Sequence, residues 1–401
     1  MKYRVISMLL CTVMLIAGLA GCAGSEIRSF TNPENEEETS AETGGFPSDS
    51  PGESRDYSAA YAAYDPDELV MTINDLSVRW EEYFYWIRTV LDEYEYQYGR
   101  IADWDAKAAY YTCGCEIPGE CGECESNRDY ITNGVLEILV DFRALESNAR
   151  RLGAELTEED YANLEAMWEK DVEAYSGGDE EAFVQYMESI YLTRELYDYI
   201  NQVSCLYYET FDKIYGPEGE LCSDEDALSF AESKGFMMAK HILLSKTNPE
   251  GEELSEEEQA EKLATAKELL AQLRSCESAG EMTALFDKLM SEHSEDVGLS
   301  YYPDGYCFSP GKMVAAFEDA AAALKEYEIS EIVETDFGYH IILRLPLDPN
   351  AILEYYSENQ QYDLRYVAAI AMYDSLFNSW KDEAQVEPGK NFVNFDISVI
   401  L

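Results

Sequence analysis

The pattern of this sequence changes at Phe236 and changes back after Leu345, and what lies between has the makings of a unit that closes on itself. The run Phe236 to Leu244 is apolar and strand-like. Ser255-Glu256-Glu257-Glu258 is a capping box that opens a helix to about Leu273, and a shorter helix runs from Glu281 to Met290. After a polar loop come an aromatic segment from Tyr301 to Phe308, a helix from about Gly311 to Leu324 and a last strand from Tyr339 to Leu345. A strand at each end of so small a unit favours pairing of the two in one sheet, with the helices packed around it.

The flanking sequence is different in kind. Val70 to Ile73 reads as a strand and Asn74-Asp75 as a turn, with Ser77 as the N-cap of a helix through Trp80, Tyr83, Phe84 and Ile87. A second helix is expected from about Asn133 to Arg151, punctuated by Gly153, and Thr157 is placed to cap a third. Helical spacing continues to about Tyr215, where Gly216-Pro217 stops it. The last 55 residues resume helix through Leu353, Tyr356, Leu364 and Tyr373 and end in an apolar strand from Phe392 to Leu401, expected to pair with Val70 to Ile73. The fold class is therefore α+β: a mainly helical domain made by residues 69–235 and 347–401, with a second α+β domain at 236–346 inserted between them.

Between the first two helices, Cys113, Cys115, Cys121 and Cys124 crowd into 12 residues. Four thiols at this spacing either form two local disulfides or ligate one tetrahedral structural zinc, and the choice between them stays open. Cys205 and Cys222 are a further candidate pair.

All three histidines, His241, His293 and His340, lie in the inserted unit, and two of them sit in its terminal strands. If those strands are neighbours, His241 and His340 face each other across the sheet. Here the residues reach a known pattern. Ala239-Lys240-His241-Ile242-Leu243-Leu244 resembles the opening strand of the parvulin family of peptidyl-prolyl isomerases, and Phe337-Gly338-Tyr339-His340-Ile341-Ile342 resembles its closing strand. Ser294-Glu295-Asp296 falls where the family carries a serine followed two residues later by an active-site Asp or Cys. Phe308 to Glu318 has its spacing of the Met and Phe that line a proline pocket, and Ile329 to Thr335 resembles the segment leading into the last strand. The resemblance implies catalytic roles for His241, Asp296 and His340, a slot for the proline ring built from Phe308, Met313 and Phe317, a small antiparallel sheet with surrounding helices, and no cofactor for isomerisation. Tyr306 stands where the family commonly has a glycine, which implies a pocket of altered shape.

The N-terminus bears on compartment. Lys2 and Arg4 precede an apolar run from Val5 to Gly21, and Leu19-Ala20-Gly21-Cys22 resembles a bacterial lipobox at every position. Residues 1–21 are expected to be a signal peptide and Cys22 the lipidated first residue of the mature chain, placing it at the extracytoplasmic face of the cell membrane. Residues 22–68, with 12 acidic and 2 basic side chains, are expected to be a solvated tether. The whole chain carries 81 acidic against 28 basic residues, a formal charge of −53, which excludes nucleic acid as a partner and makes the surface repel anionic lipid.

Lipobox, tether, helical region, inserted parvulin-like unit and returning C-terminal helix together resemble the PrsA-like and SurA-like extracytoplasmic foldases. That resemblance implies an isomerase of Xaa-Pro bonds in newly secreted polypeptides, with chaperone activity in the helical domain. Two other functions remain open. One is a catalytically inactive parvulin-fold holdase; the other is a solute-binding lipoprotein, which needs repeated βαβ units. The sequence leaves the oligomeric state open.

Overall fold

A computed structural model describes residues 55–108, 125–357, 360–393 and 395–400. Cys22 and the four clustered cysteines 113, 115, 121 and 124 lie outside the described residues. Nine strands are described: β1 Leu69–Ile73, β2 Leu76–Arg79, β3 Met237–Ser245, β4 Tyr306–Phe308, β5 Val333–Glu334, β6 Gly338–Leu345, β7 Ile352–Ser357, β8 Gln360–Asp363 and β9 Val386–Pro388. Every ladder between them is antiparallel. The described residues thus lack the parallel βαβ units that a solute-binding cleft requires.

The chain divides into two compact units, residues 1–213 with 375–401, and Ile214–Asp374. The first is helical around a three-stranded sheet ordered β2-β1-β9. Asn74 and Asp75 both have positive φ, 51° and 63°, the signature of a two-residue hairpin turn that sends the chain straight back along β1. Ser77 consequently pairs with Thr72 inside β2 and is not an N-cap; the helix Trp80–Tyr98 begins after Arg79 without a side-chain cap. Asn127–Leu152 is capped by Ser126 and closed by Gly153 in the left-handed conformation. Thr157 forms a reciprocal capping box with Asp160 at the start of Glu158–Ser176.

Residues 55–68 are packed where their composition predicts a solvated stretch. Residues 55–68, assigned above to the tether, are anchored: Tyr57 is 4% exposed, Arg55 pairs with Glu95 at 2.6 Å, and the rings of Tyr61 and Tyr64 pack on Phe84 and Trp80. Three tyrosines among acidic residues outweigh the average composition of the stretch.

The C-terminal segment also departs from expectation. Leu353 and Tyr356 belong to the β7–β8 hairpin and not to a helix, and the helix Leu364–Asp382 starts only after it. The strand that joins β1 is β9, through Met71↔Pro388 and Ile73↔Val386, and not the Phe392 run, whose described end is the 3-10 turn Ile397–Ile400. Gly389 lies so close to β1 that a Cβ would sit 2.2 Å from the Leu69 carbonyl oxygen. Cys205 is disulfide-bonded while Cys222 is free, so these two do not pair.

The second unit holds a four-stranded sheet ordered β4-β3-β6-β5. On one face Ile242, Leu244, Ile341 and Leu343 pack against Leu269, Leu273, Phe286 and Leu289 of the helices Glu256–Arg274 and Ala279–His293. Alternation along the strands turns Ala239 and Ile342 to the other face, where Phe308 and the helix Ala315–Ala323 cover them with Phe317 and Ala321. The β3–β6 pair is the spine of the unit, eight residues of continuous register from Met238↔Leu345 to Ser245↔Gly338.

That register needs a glycine at one end. Gly338 has φ 153°, and a Cβ there would meet the Leu244 carbonyl oxygen at 2.2 Å. Gly338→Ala is expected to cost about 2 kcal/mol or more. Equilibrium denaturant unfolding checks this, and a loss below about 0.5 kcal/mol would show that the strand end yields freely.

Candidate active site

The sheet register puts the site together. His241 lies opposite Ile342 and Leu243 opposite His340, so the two histidines share a face as diagonal neighbours. Their Nδ1 atoms are 3.3 Å apart. His340 is 3% exposed and His241 half-buried.

Asp296 reaches the pair because its loop is stitched to the free edge of β3. Ser294 Oγ accepts from the Leu243 N–H, the Glu295 N–H donates to the Leu243 carbonyl, and Glu295 Oε2 accepts from the Ser245 N–H. This brings Asp296 Oδ2 to 3.0 Å from His241 Nε2, a charge-to-ring approach that lacks the alignment of a good hydrogen bond and leaves the ring nitrogen without another partner. Asp296 also caps the turn Val297–Ser300, its Oδ1 accepting from the Gly298 N–H at 3.1 Å, and its Oδ2 accepts from the Tyr306 hydroxyl at 2.7 Å.

At the other end, Thr335 Oγ1 is 2.8 Å from His340 Nε2 and accepts from the Phe337 N–H. The Thr335 hydroxyl keeps a proton and a second lone pair for His340 Nε2, so Thr335, His340, His241 and Asp296 form one line of polar contacts.

Burial, with His241 alongside, outweighs the attraction of Asp296 and lowers the His340 pKa to about 4. Burial works to raise the Asp296 pKa, but the contacts with His241 and Tyr306 and the Gly298 N–H prevail and hold it at about 2. Burial and Asp296 push the Tyr306 phenol well above its ordinary range, so it stays a donor.

Beside the relay lies an apolar surface. Phe317 packs nearly perpendicular to both imidazoles, at ring centroid distances of 5.3 and 5.6 Å, and Phe308 lies against it at 6.1 Å. Both phenylalanines are 3% exposed and form a floor, while Met313 and Tyr306 are half-buried at its margin. The six residues singled out from the sequence, His241, Asp296, His340, Phe308, Met313 and Phe317, therefore come together. His293, at the exposed end of its helix, stays out. Sequence reasoning passed over Thr335, although a threonine two residues before an aromatic-glycine turn is a ready side-chain acceptor for the turn's N–H. It noted Tyr306 only as a departure.

Residues 241–345 match the family model of the rotamases, the PPIC-type PPIase domain. The chain is similar to the foldase protein PrsA of Geobacillus kaustophilus, 48% identical over 79 residues that make up 20% of this chain and 26% of that protein. It is also similar to the chaperone SurA of Nitrosococcus oceani, 29% identical over 154 residues, 37% of this chain and 32% of that one. The match thus spans about a quarter to a third of these relatives' length. A solved structure of the peptidylprolyl isomerase PrsA from Bacillus cereus aligns over 69% of this chain and 90% of its own, at 20% identity and TM-score 0.27.

Because His340 is held neutral, the unfolded chain takes up its proton near pH 6.5 and the folded one only near 4. The stability this group contributes is complete above about pH 6.5 and is lost as pH falls toward 4, by on the order of 3 kcal/mol. Unfolding free energies at pH 7.5 and 4.5 are expected to fall less in His340→Gln than in wild type. Equal slopes would sink the neutral-His340 assignment.

Proposed function

We propose, on the premise that residues 241–345 are a PPIC-type PPIase domain, that this chain is a parvulin-type peptidyl-prolyl cis-trans isomerase acting on unfolded polypeptides, with chaperone activity in its helical unit. The observation that carries the reading is the Asp296 carboxylate 3.0 Å from His241 at the end of the paired histidines, beside an apolar floor. Rotation about an Xaa-Pro bond breaks no covalent bond; its barrier of ~18–20 kcal/mol is the loss of amide resonance. Phe308, Phe317 and Met313 grip the proline ring and exclude water from it. The Asp296 carboxylate, facing the carbonyl, disfavours the resonance form that places negative charge on that oxygen, which weakens the partial double bond. The twisted amide carries less of that charge, so the carboxylate favours it over both planar forms, as catalysis requires. His241, His340 and Thr335 hold one another in line behind the carboxylate, and no cofactor enters the step.

The full chain is expected to accelerate cis-to-trans conversion of an Xaa-Pro peptide in a protease-free assay, with His241→Ala and Asp296→Ala each losing tenfold or more, equal to about 1.4 kcal/mol of barrier. A wild type no faster than the uncatalysed reaction would overturn the isomerase reading and leave a parvulin fold used as a scaffold for holding clients.

The lipobox-like Leu19-Ala20-Gly21-Cys22 supports attachment through a lipid on Cys22 at the extracytoplasmic face of the membrane, where newly secreted polypeptides would be the clients. The acidity of the chain leaves lipid as the anchoring force, since charge would repel an anionic surface. Cys22→Ser is expected to move the protein from the membrane fraction to the soluble one; a variant that still sediments with membranes would remove the anchor from the reading.

A further inference from the structure

Tyr306 is absorbed neither by the relay nor by the floor, yet it touches both. Its hydroxyl donates to Asp296 Oδ2 at 2.7 Å, the same oxygen that His241 Nε2 approaches at 3.0 Å. Its ring lies tilted against His241, with centroids 5.6 Å apart, and against Tyr302 at 4.8 Å, and it packs at the margin of the apolar cluster that holds Phe317 and Met313. The space for the hydroxyl is made by a particular residue. A Cβ on Gly298 would stand 1.9 Å from the Tyr306 oxygen, so this glycine is the socket into which the phenol fits.

Without the phenol, Oδ2 would keep only an unaligned approach from His241, and Oδ1 the Gly298 N–H. A carboxylate held through one oxygen is free to turn about its Cβ–Cγ bond and carry its charge away from the reacting carbonyl. A charge-assisted bond to the second oxygen removes that freedom, and in a half-buried site such a bond is worth more than in water.

We propose that Tyr306 is a positioning residue of the isomerase site, which, seated in the socket left by Gly298, clamps the Asp296 carboxylate against His241 and so fixes how its charge meets the substrate amide. The proposal rests on the isomerase reading of the site. Tyr306 acts through Asp296 and not by contact with the reacting atoms, and that distinction is what an experiment can read. A clamp loses its value when the group it holds is removed; a piece of wall does not.

The test is a double-mutant cycle in the full chain between Tyr306→Phe and Asp296→Asn, read both in steady-state isomerisation of an Xaa-Pro peptide and in equilibrium unfolding. Tyr306→Phe is expected to lower kcat about tenfold with KM within twofold of wild type, and to lower it less than twofold when Asp296→Asn is already present. Equal losses in the two backgrounds would overturn the proposal. Gly298→Ala, which closes the socket and keeps the phenol, is expected to give the same pattern, and it serves the cycle alone if Tyr306→Phe shows no unfolding transition. A wild type without isomerase activity would defeat the functional reading. The unfolding arm would then judge the clamp by itself, with coupled losses supporting it and additive losses overturning it.

Discussion

The pairing of β3 with β6 is the constraint on which the second unit depends. It joins residues about a hundred positions apart and sets their register, and the register alone decides whether His241 and His340 meet. Side chains alternate across a strand, so a slip of one residue would send His340 to the face where the two long helices pack and would turn Ile341 toward His241. The apolar residues on the helix face, Ile242, Leu244, Ile341 and Leu343, hold the register by the burial they would lose in such a slip. Core packing on one side of the sheet thus enforces the site on the other, and Gly338 admits the close approach that lets the ladder run to its end.

The site itself is a balance of burial against pairing. Burying an imidazole favours its neutral form, and burying a carboxylate would do the same for the acid. The two groups meet opposite fates because their partners differ. His340 has a hydroxyl and a second imidazole beside it, whereas Asp296 accepts from the phenol of Tyr306 and the Gly298 N–H and lies against the ring of His241. A single negative charge is thereby kept in a half-buried place next to the imidazoles and a phenylalanine floor, where the low local dielectric lengthens its reach.

Much of this could be read from the residues, and what escaped did so for physical reasons. The capping boxes at Thr157 and Ser255 declare their helices locally, since cap and acceptor lie three residues apart. The histidine pair follows from the sequence if the end strands of the unit are neighbours. Hairpins are less legible. Asn74-Asp75 reads as a turn, but that both residues are left-handed, and so return the chain as a strand, is a backbone fact that no spacing of apolar residues reveals. Leu353 and Tyr356 fit a helical stripe with the residues after them, and only the partner strand β8 shows that they belong to a sheet. The tyrosine anchors at 57, 61 and 64 were diluted by acidic neighbours in a count of composition. Tyr306 and Gly298 illustrate the same limit within the site: a socket and its occupant eight residues apart can be recognised only when both are placed in space.

The sheet of the first unit has a temporal consequence. β1 begins at Leu69 and takes its outer partner from β9, which ends at Pro388, so about three-quarters of the chain separates two strands that lie side by side. A polypeptide that emerges from its N-terminus forward presents β1 and β2 early, as a hairpin, with one edge of β1 still unpaired. The segments that build the histidine site, from β3 to β6, all emerge before that edge can be closed. Vectorial synthesis therefore allows the second unit to assemble while β1 still waits for β9, and a short C-terminal segment is captured late by the part of the fold that emerged first.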